Sequence, residues 1–227
     1  MSTNFFPPQI WHAINLPTSS FFVFFFISLY YNILYRMDAK EILEGAFHRH
    51  GDVLGQTLAS VREEAARAAA MLHEAVEAGK TLFTCGNGGS AADAQHLVAE
   101  YTCKYKDDRR PLRAVALTAN TSHLTAVGND FSFDDVFSRQ IDALANEGDV
   151  LVAITTSGSS KNILKAIEAA RQKKMKTIVL TGERGAHLKA SADSVIAVPS
   201  TETARIQEMH ELIYHAWCEY VDGRLID

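Results

Sequence analysis

The chain has 227 residues, 47% hydrophobic and 22% charged, the make-up of a soluble globular protein with one well-buried domain and room for an appendage. Its net charge of -5 excludes a broad nucleic-acid groove, which needs clustered Lys and Arg, but leaves room for a small anionic ligand in a local pocket. Three cysteines without C-x-x-C spacing exclude a disulfide framework and a four-thiolate zinc site, and they fit a reducing cytoplasm.

Residues 1–36 contain no Asp or Glu and a single Arg, whereas the remainder is densely charged. Their aromatic and aliphatic run, 21–35, falls short of the ~20 apolar residues that span a bilayer, and it has neither a basic segment before it nor a small-residue cleavage site after it. Met37 is followed by Asp38 and Glu41, the spacing of a helix N-cap and an acidic first turn. The expectation is an upstream translated extension over 1–36 and a single domain over 37–227, with a membrane anchor as the alternative for the extension.

Residues 38–79 carry apolar side chains three and four apart and predict an N-terminal pair of helices closed by Gly79. Beyond Lys80 the period changes. Short β-branched runs at 81–85, 114–117, 150–155, 177–181 and 195–198 read as buried strands, and amphipathic helices are expected at 90–104, 134–146, 162–174 and 203–225. This alternation predicts an α/β fold, a parallel sheet with helices on both faces in a three-layer, Rossmann-like sandwich, with ligands at the carboxyl ends of the strands.

Two loops at that edge are chemically rich. Gly86-Asn87-Gly88-Gly89-Ser90 leads from a strand into a helix, where glycines admit a ligand to the backbone and free amides favour anions or sugar oxygens. Gly86, Gly88 and Ala91 satisfy G-x-G-x-x-A, but the acidic residue a dinucleotide fold places ~20 positions on falls at Asp107, inside a charge run expected to be solvated. Thr155-Thr156-Ser157-Gly158-Ser159-Ser160 also joins a strand to a helix. Its five hydroxyls in six residues exceed what an N-cap needs and suit a phosphate cradle without a P-loop Lys.

His96 and Glu100 stand four apart and Gln207 and His215 eight apart, so each pair lies within about 40° to 80° of one helix face. Face to face they would offer four donors to a borderline ion such as zinc, the amide being the least usual ligand. Each alone also suits a polar residue on a solvated face. His210 lies about 140° around the helix from His215 and points to a structural role. His123, at a helix entry, could approach a substrate, whereas His187 carries little signal. Cys85 reads as a small buried residue.

The stretches GNGGSAADAQHLVAE at 86–100, VGNDFSFDDVFSRQ at 127–140, GDVLVAITTSGSSKNILKAI at 148–167 and ARIQEMHELIYH at 204–215 resemble the sugar isomerase (SIS) domain family, and within it the phosphoheptose isomerases. The resemblance covers residue 37 to the C-terminus. It implies one zinc ion per subunit on His96, Glu100, Gln207 and His215. Substrate contacts would come from Asn87, Gly88, Gly89, Ser90, Glu100, Asn129, Asp130, Thr155, Thr156, Ser157, Ser160 and Gln207. Thr155 stands where the family often has Ser. The implied reaction isomerises sedoheptulose 7-phosphate through an enediol with Glu100 as base and His215 as acid, in a cytoplasmic homotetramer supplying heptose for bacterial surface polysaccharide. Sugar phosphate is the implied partner, with no nucleic acid and no membrane.

Arg205 and Glu208 flank Gln207 and could orient it or meet a neighbouring subunit. A relative that acts as a non-catalytic adaptor on a bacterial replication initiator is similar across the same loops, but typically lacks the acid and the second His that are Glu100 and His215 here. A metal-free sugar-phosphate sensor joined to a DNA-binding helix is a third reading. The region 38–79 offers no basic recognition helix for it.

Overall fold

Five strands lie side by side in the computed structural model, which describes residues 38–225. The chain divides into two units, residues 1–48 and 49–227. The described part of the first is the start of helix α1 (Ala39–Glu77), where the amide of Asp38 bonds the Glu41 carboxylate and Lys40 pairs with Glu44. The expected extension over 1–36 and the start at Met37 lie outside the described residues.

The expected N-terminal pair is a single continuous helix. Gly51 and Gly55 fall inside it, each weakening it by about 1 kcal/mol relative to Ala. In the second unit the helix is held by packing, since Val61, Ala68, Ala69, Leu72 and Val76 recur on one face and are buried. Gly79 ends it as expected: with φ +67° it lets its own amide reach Val76 O and that of Lys80 reach Ala75 O, the paired bonds of a Schellman cap.

The remaining elements are β1 (Leu82–Gly86), α2 (Gly89–Thr102), β2 (Ala114–Ala116), α3 (Thr121–Asp130), a 3-10 turn (Phe133–Asp135), α4 (Ser138–Leu144), β3 (Val150–Thr155), α5 (Lys161–Gln172), β4 (Lys176–Gly182), a second 3-10 segment (Glu183–Ala190), β5 (Ser194–Val198) and α6 (Thr203–Asp222). The expected helix over 134–146 is shorter than its apolar pattern suggested. The segment opens as the 3-10 turn, capped by the Ser132 side chain. Helix α3 begins at the helix entry read beside His123, for which no span was expected.

All pairings are parallel, in the order β2-β1-β3-β4-β5, with Leu82 opposite Val150 and Val150 opposite Lys176. Two hydrophobic layers cover the sheet. Val150, Val152 and Ile154 pack with α1, α2 and α6 on one face, while Leu151 and Ala153 pack with α3, α4 and α5 on the other. Strands buried on both faces explain the unbroken apolar runs. Strand order reverses between β1 and β3, so the loops after these two strands flank the switch point, where ligands of open α/β sheets bind. Among the described residues no helix is long and apolar enough to cross a membrane.

Candidate active site

The glycine loop after β1 and the hydroxyl loop after β3 are tied together. Asn87 and Asn162 exchange two side-chain amide hydrogen bonds, at 2.9 and 2.8 Å. Asn87, expected to contact substrate, thus has both polar side-chain atoms engaged inside the protein. Its partner Asn162, 3% exposed, carried no sequence signal beyond its place at a helix start. In the second loop Thr155 Oγ1 accepts from the amide of Gly158, whose φ of +69° only glycine adopts freely, and Ser157 Oγ accepts from the amide of Ser159. Ser160 occupies the N-cap of α5, yet its side chain makes no cap hydrogen bond. Capping therefore does not account for its hydroxyl.

Helices α2 and α6 leave the same edge of the sheet and run side by side. A Cβ built on Gly89 would stand 2.5 Å from Gln207 Nε2, so the amide of Gln207 lies directly on the glycine loop. Seven residues on, Tyr214 Oη sits 3.0 Å from His96 Nδ1, and 118 residues separate the partners in both contacts. A seven-residue step is two turns, so a parallel pair of helices repeats its contacts at constant register, about 10 Å apart along the axis.

At the second contact His96, Glu100 and His215 each place a ligand atom within 4.8 Å of the others. His96 Nε2 is 3.1 Å from Glu100 Oε1, and the His96 and His215 rings meet edge to face at 5.0 Å. Two imidazoles and a carboxylate this close form a donor set suited to a borderline cation. Gln207, the fourth expected ligand, stands about two turns back along α6. The sequence missed two aromatic neighbours: the Tyr105 ring stacks on His215 at 5.4 Å, and Tyr214 touches both imidazoles.

Tyr105 belongs to the charge run read as solvated, and this reading is corrected for one member. Arg109 has a side chain 2% exposed and pairs with the equally buried Asp222 at 2.7 Å. It also donates to the carbonyls of Glu100 and Tyr101, at 2.7 and 2.9 Å, while Asp222 accepts from the Tyr105 amide. A buried ion pair thereby satisfies the carbonyls at the end of α2, next to Glu100. Only its position in the fold distinguishes Arg109 from the exposed charges around it.

Other titratable groups sort by burial. Burial pushes the Asp93 carboxyl up to about 6, Glu211 adding to the effect and His96 opposing it. His210 is fully buried with Nε2 against Thr181 O at 3.2 Å, and burial lowers it to about 4, which makes it structural as expected. Burial drives the Cys85 thiol up to about 12. His187 is exposed, its Nδ1 on Arg184 O. His123 starts α3 with its amide on Asn120, and its Nε2 is buried without a hydrogen bond. Asn129 and Asp130, expected at the sugar, are exposed at the end of α3 and bond each other at 2.8 Å. Arg205 and Glu208 form an ion pair that also holds His50 of α1.

Comparison with known proteins agrees with this architecture. The SIS domain family matches residues 47–182. A phosphoheptose isomerase of Aliarcobacter butzleri is 45% identical over 186 residues, covering 82% of this chain and 98% of the relative. The structures of phosphoheptose isomerases from Neisseria gonorrhoeae and Francisella tularensis superpose with TM-scores of 0.77 and 0.79 at 41% and 37% identity, each over 82% of this chain and 100% of the other. Identity at this level over the whole length of these relatives extends the likeness from the loops to the entire domain, and the chain belongs to the phosphoheptose isomerase family of SIS-domain proteins.

Proposed function

We propose that the chain interconverts sedoheptulose 7-phosphate and D-glycero-D-manno-heptose 7-phosphate. The observation that carries this reading is the convergence of His96, Glu100 and His215 beside a glycine loop and a hydroxyl loop at the switch point of the sheet. Going from ketose to aldose, Glu100 takes a proton from C1, the electrons pass through an enediol, and C2 is reprotonated as its carbonyl oxygen becomes a hydroxyl. Glu100 returns its proton to C2, while His215 gives a proton to the C2 oxygen and recovers one from the C1 hydroxyl as that becomes the aldehyde. Glu100, His96, His215 and Gln207 would hold one zinc ion, whose contribution is to polarise the substrate oxygens.

Thr155, Thr156, Ser157 and Ser160 hold the terminal phosphate. Gly88, Gly89 and Ser90 offer backbone and hydroxyl contacts to the sugar, Asn87 shapes that loop, and Asn129 and Asp130 bind sugar hydroxyls. The working form is a cytoplasmic homotetramer that supplies heptose for surface polysaccharide, and residues 1–36 stand outside its domain. Three free cysteines, two of them buried, are compatible with a reducing compartment.

The test is isomerisation of sedoheptulose 7-phosphate by the full chain, before and after chelation and with zinc restored. Activity lost and regained with the metal is expected. Folded protein with no activity in any metal state would sink the reading and favour the adaptor. Intact mass of protein from the native source tests the extension, and a mass beginning at Met37 is expected.

A further inference from the structure

We infer that Tyr214 is a positioning residue of the ligand cluster, its hydroxyl fixing the ring and the proton of His96. The inference rests on the reading of His96 as a metal ligand.

Tyr214 is fully buried on α6, one residue before His215. A phenylalanine would fill the same space. The hydroxyl is its only polar group, and burying it without a partner would be unfavourable. That partner is His96 Nδ1 at 3.0 Å, with the rings edge to face at 5.7 Å.

The two nitrogens of His96 face different groups, Nε2 toward Glu100 in the cluster and Nδ1 toward Tyr214. A neutral imidazole carries one N–H, and a ligating nitrogen must be bare. If Nε2 is the ligand, the proton sits on Nδ1 and donates to the phenol oxygen. A hydroxyl can accept that bond and still donate its own hydrogen, which a carbonyl or an amide N–H cannot do.

Two carboxylates lie on the same side as the phenol and act on it electrostatically. Asp93, one turn before His96 on α2, has Oδ2 buried with no hydrogen-bond partner among the described residues. A buried acceptor calls for a donor. Glu211 Oε1, 3.6 Å from the same Nδ1, adds a second carboxylate on that side. Phenol and imidazole, with the Asp93 and Glu211 carboxylates acting on them electrostatically, orient the ring, select the tautomer and raise the basicity of the ligating nitrogen.

The experiment uses the full chain, stripped of metal, as wild type and Tyr214→Phe. Zinc affinity is measured by competition with a chromophoric chelator, ligand geometry from the visible spectrum of the cobalt(II) forms, and stability by thermal melting of the stripped forms. Tyr214→Phe is expected to bind zinc about tenfold or more weaker than wild type, with a changed cobalt spectrum and unchanged melting of the metal-free protein. Wild-type affinity and spectrum in the variant would overturn the inference and leave the metal reading standing. No zinc binding by the wild type would overturn both. Should Tyr214→Phe unfold, the tautomer of His96 in the zinc-loaded wild type is read by nitrogen-15 NMR instead: the proton on Nδ1 supports the inference and the proton on Nε2 overturns it.

Discussion

Glu100 is held at both ends, its carboxylate against His96 and its carbonyl on Arg109. Glu100→Gln keeps the shape and removes the charge and the basicity. Turnover of sedoheptulose 7-phosphate should fall by at least about a hundredfold with circular dichroism unchanged. Near-native activity would place the base elsewhere. His210 makes the opposite kind of prediction, about stability. Its folded-state pKa, lowered to about 4 from 6.5, means that the unfolded chain takes up the proton first. Its contribution is therefore intact above pH 6.5 and is lost as pH falls toward 4, by up to about 3 kcal/mol. Asp93, raised to about 6, works in the other sense and relieves a penalty as it protonates in the same window. Denaturant midpoints at pH 7 and 4.5 should drop less for His210→Gln than for wild type. Equal drops would mean that His210 does not titrate on unfolding.

At the scale of elements, the seam between α2 and α6 carries the site. Gly89→Ala would drive a methyl into the Gln207 amide. That side chain is long enough to swing away, so stability should change by less than about 1 kcal/mol while activity falls about a hundredfold through a misplaced ligand. Arg109→Met leaves Asp222 buried without its counter-charge and the carbonyls at the end of α2 without donors. Chemical denaturation should show a loss of about 3 to 5 kcal/mol, and a loss below 1 would mean that water replaces the guanidinium. The strands β1, β3, β4 and β5 were legible in the sequence because burial on both faces writes them as nearly unbroken apolar runs, and the half-buried edge strand β2 was legible only as a short apolar run. So were Gly79 as a helix end and the helix faces carrying His96, Glu100 and His215, because period alone sets those faces. The continuity of α1 was not legible, since two glycines weaken a helix without breaking one that tertiary packing holds. Nor were Tyr214, Tyr105, Asn162 and Arg109. What they do depends on a partner at least eight residues away in sequence, and for Tyr214, Tyr105 and Asn162 more than seventy, so no local pattern marks them.

At the scale of the molecule, the second unit bears an apolar groove of about 440 Å³ between α1 and α6, lined by Leu54, Leu58, Val61, Leu212, Ile213 and Trp217. Leu58 and Leu212 are 65% and 50% exposed. Continuous apolar surface of this kind marks an interaction site. In the proposed homotetramer it faces another subunit, so light scattering should give a tetramer for the full chain and a smaller species for the double variant Leu58→Glu, Leu212→Glu. A monomeric wild type would remove the tetramer. The amide clasp between the two loops bears on how the protein ages. Asn87 is followed by Gly88, the step most open to deamidation, in which the following backbone nitrogen closes on the side-chain carbonyl to form a cyclic imide. While Asn162 grips both atoms of that amide, the carboxamide is held away from ring closure. Once Asn87 became aspartate it would have no N–H to give back. The clasp would keep the one bond that Asn162 donates and lose the other for good, and a clock set by solvent chemistry would loosen the two loops one molecule at a time.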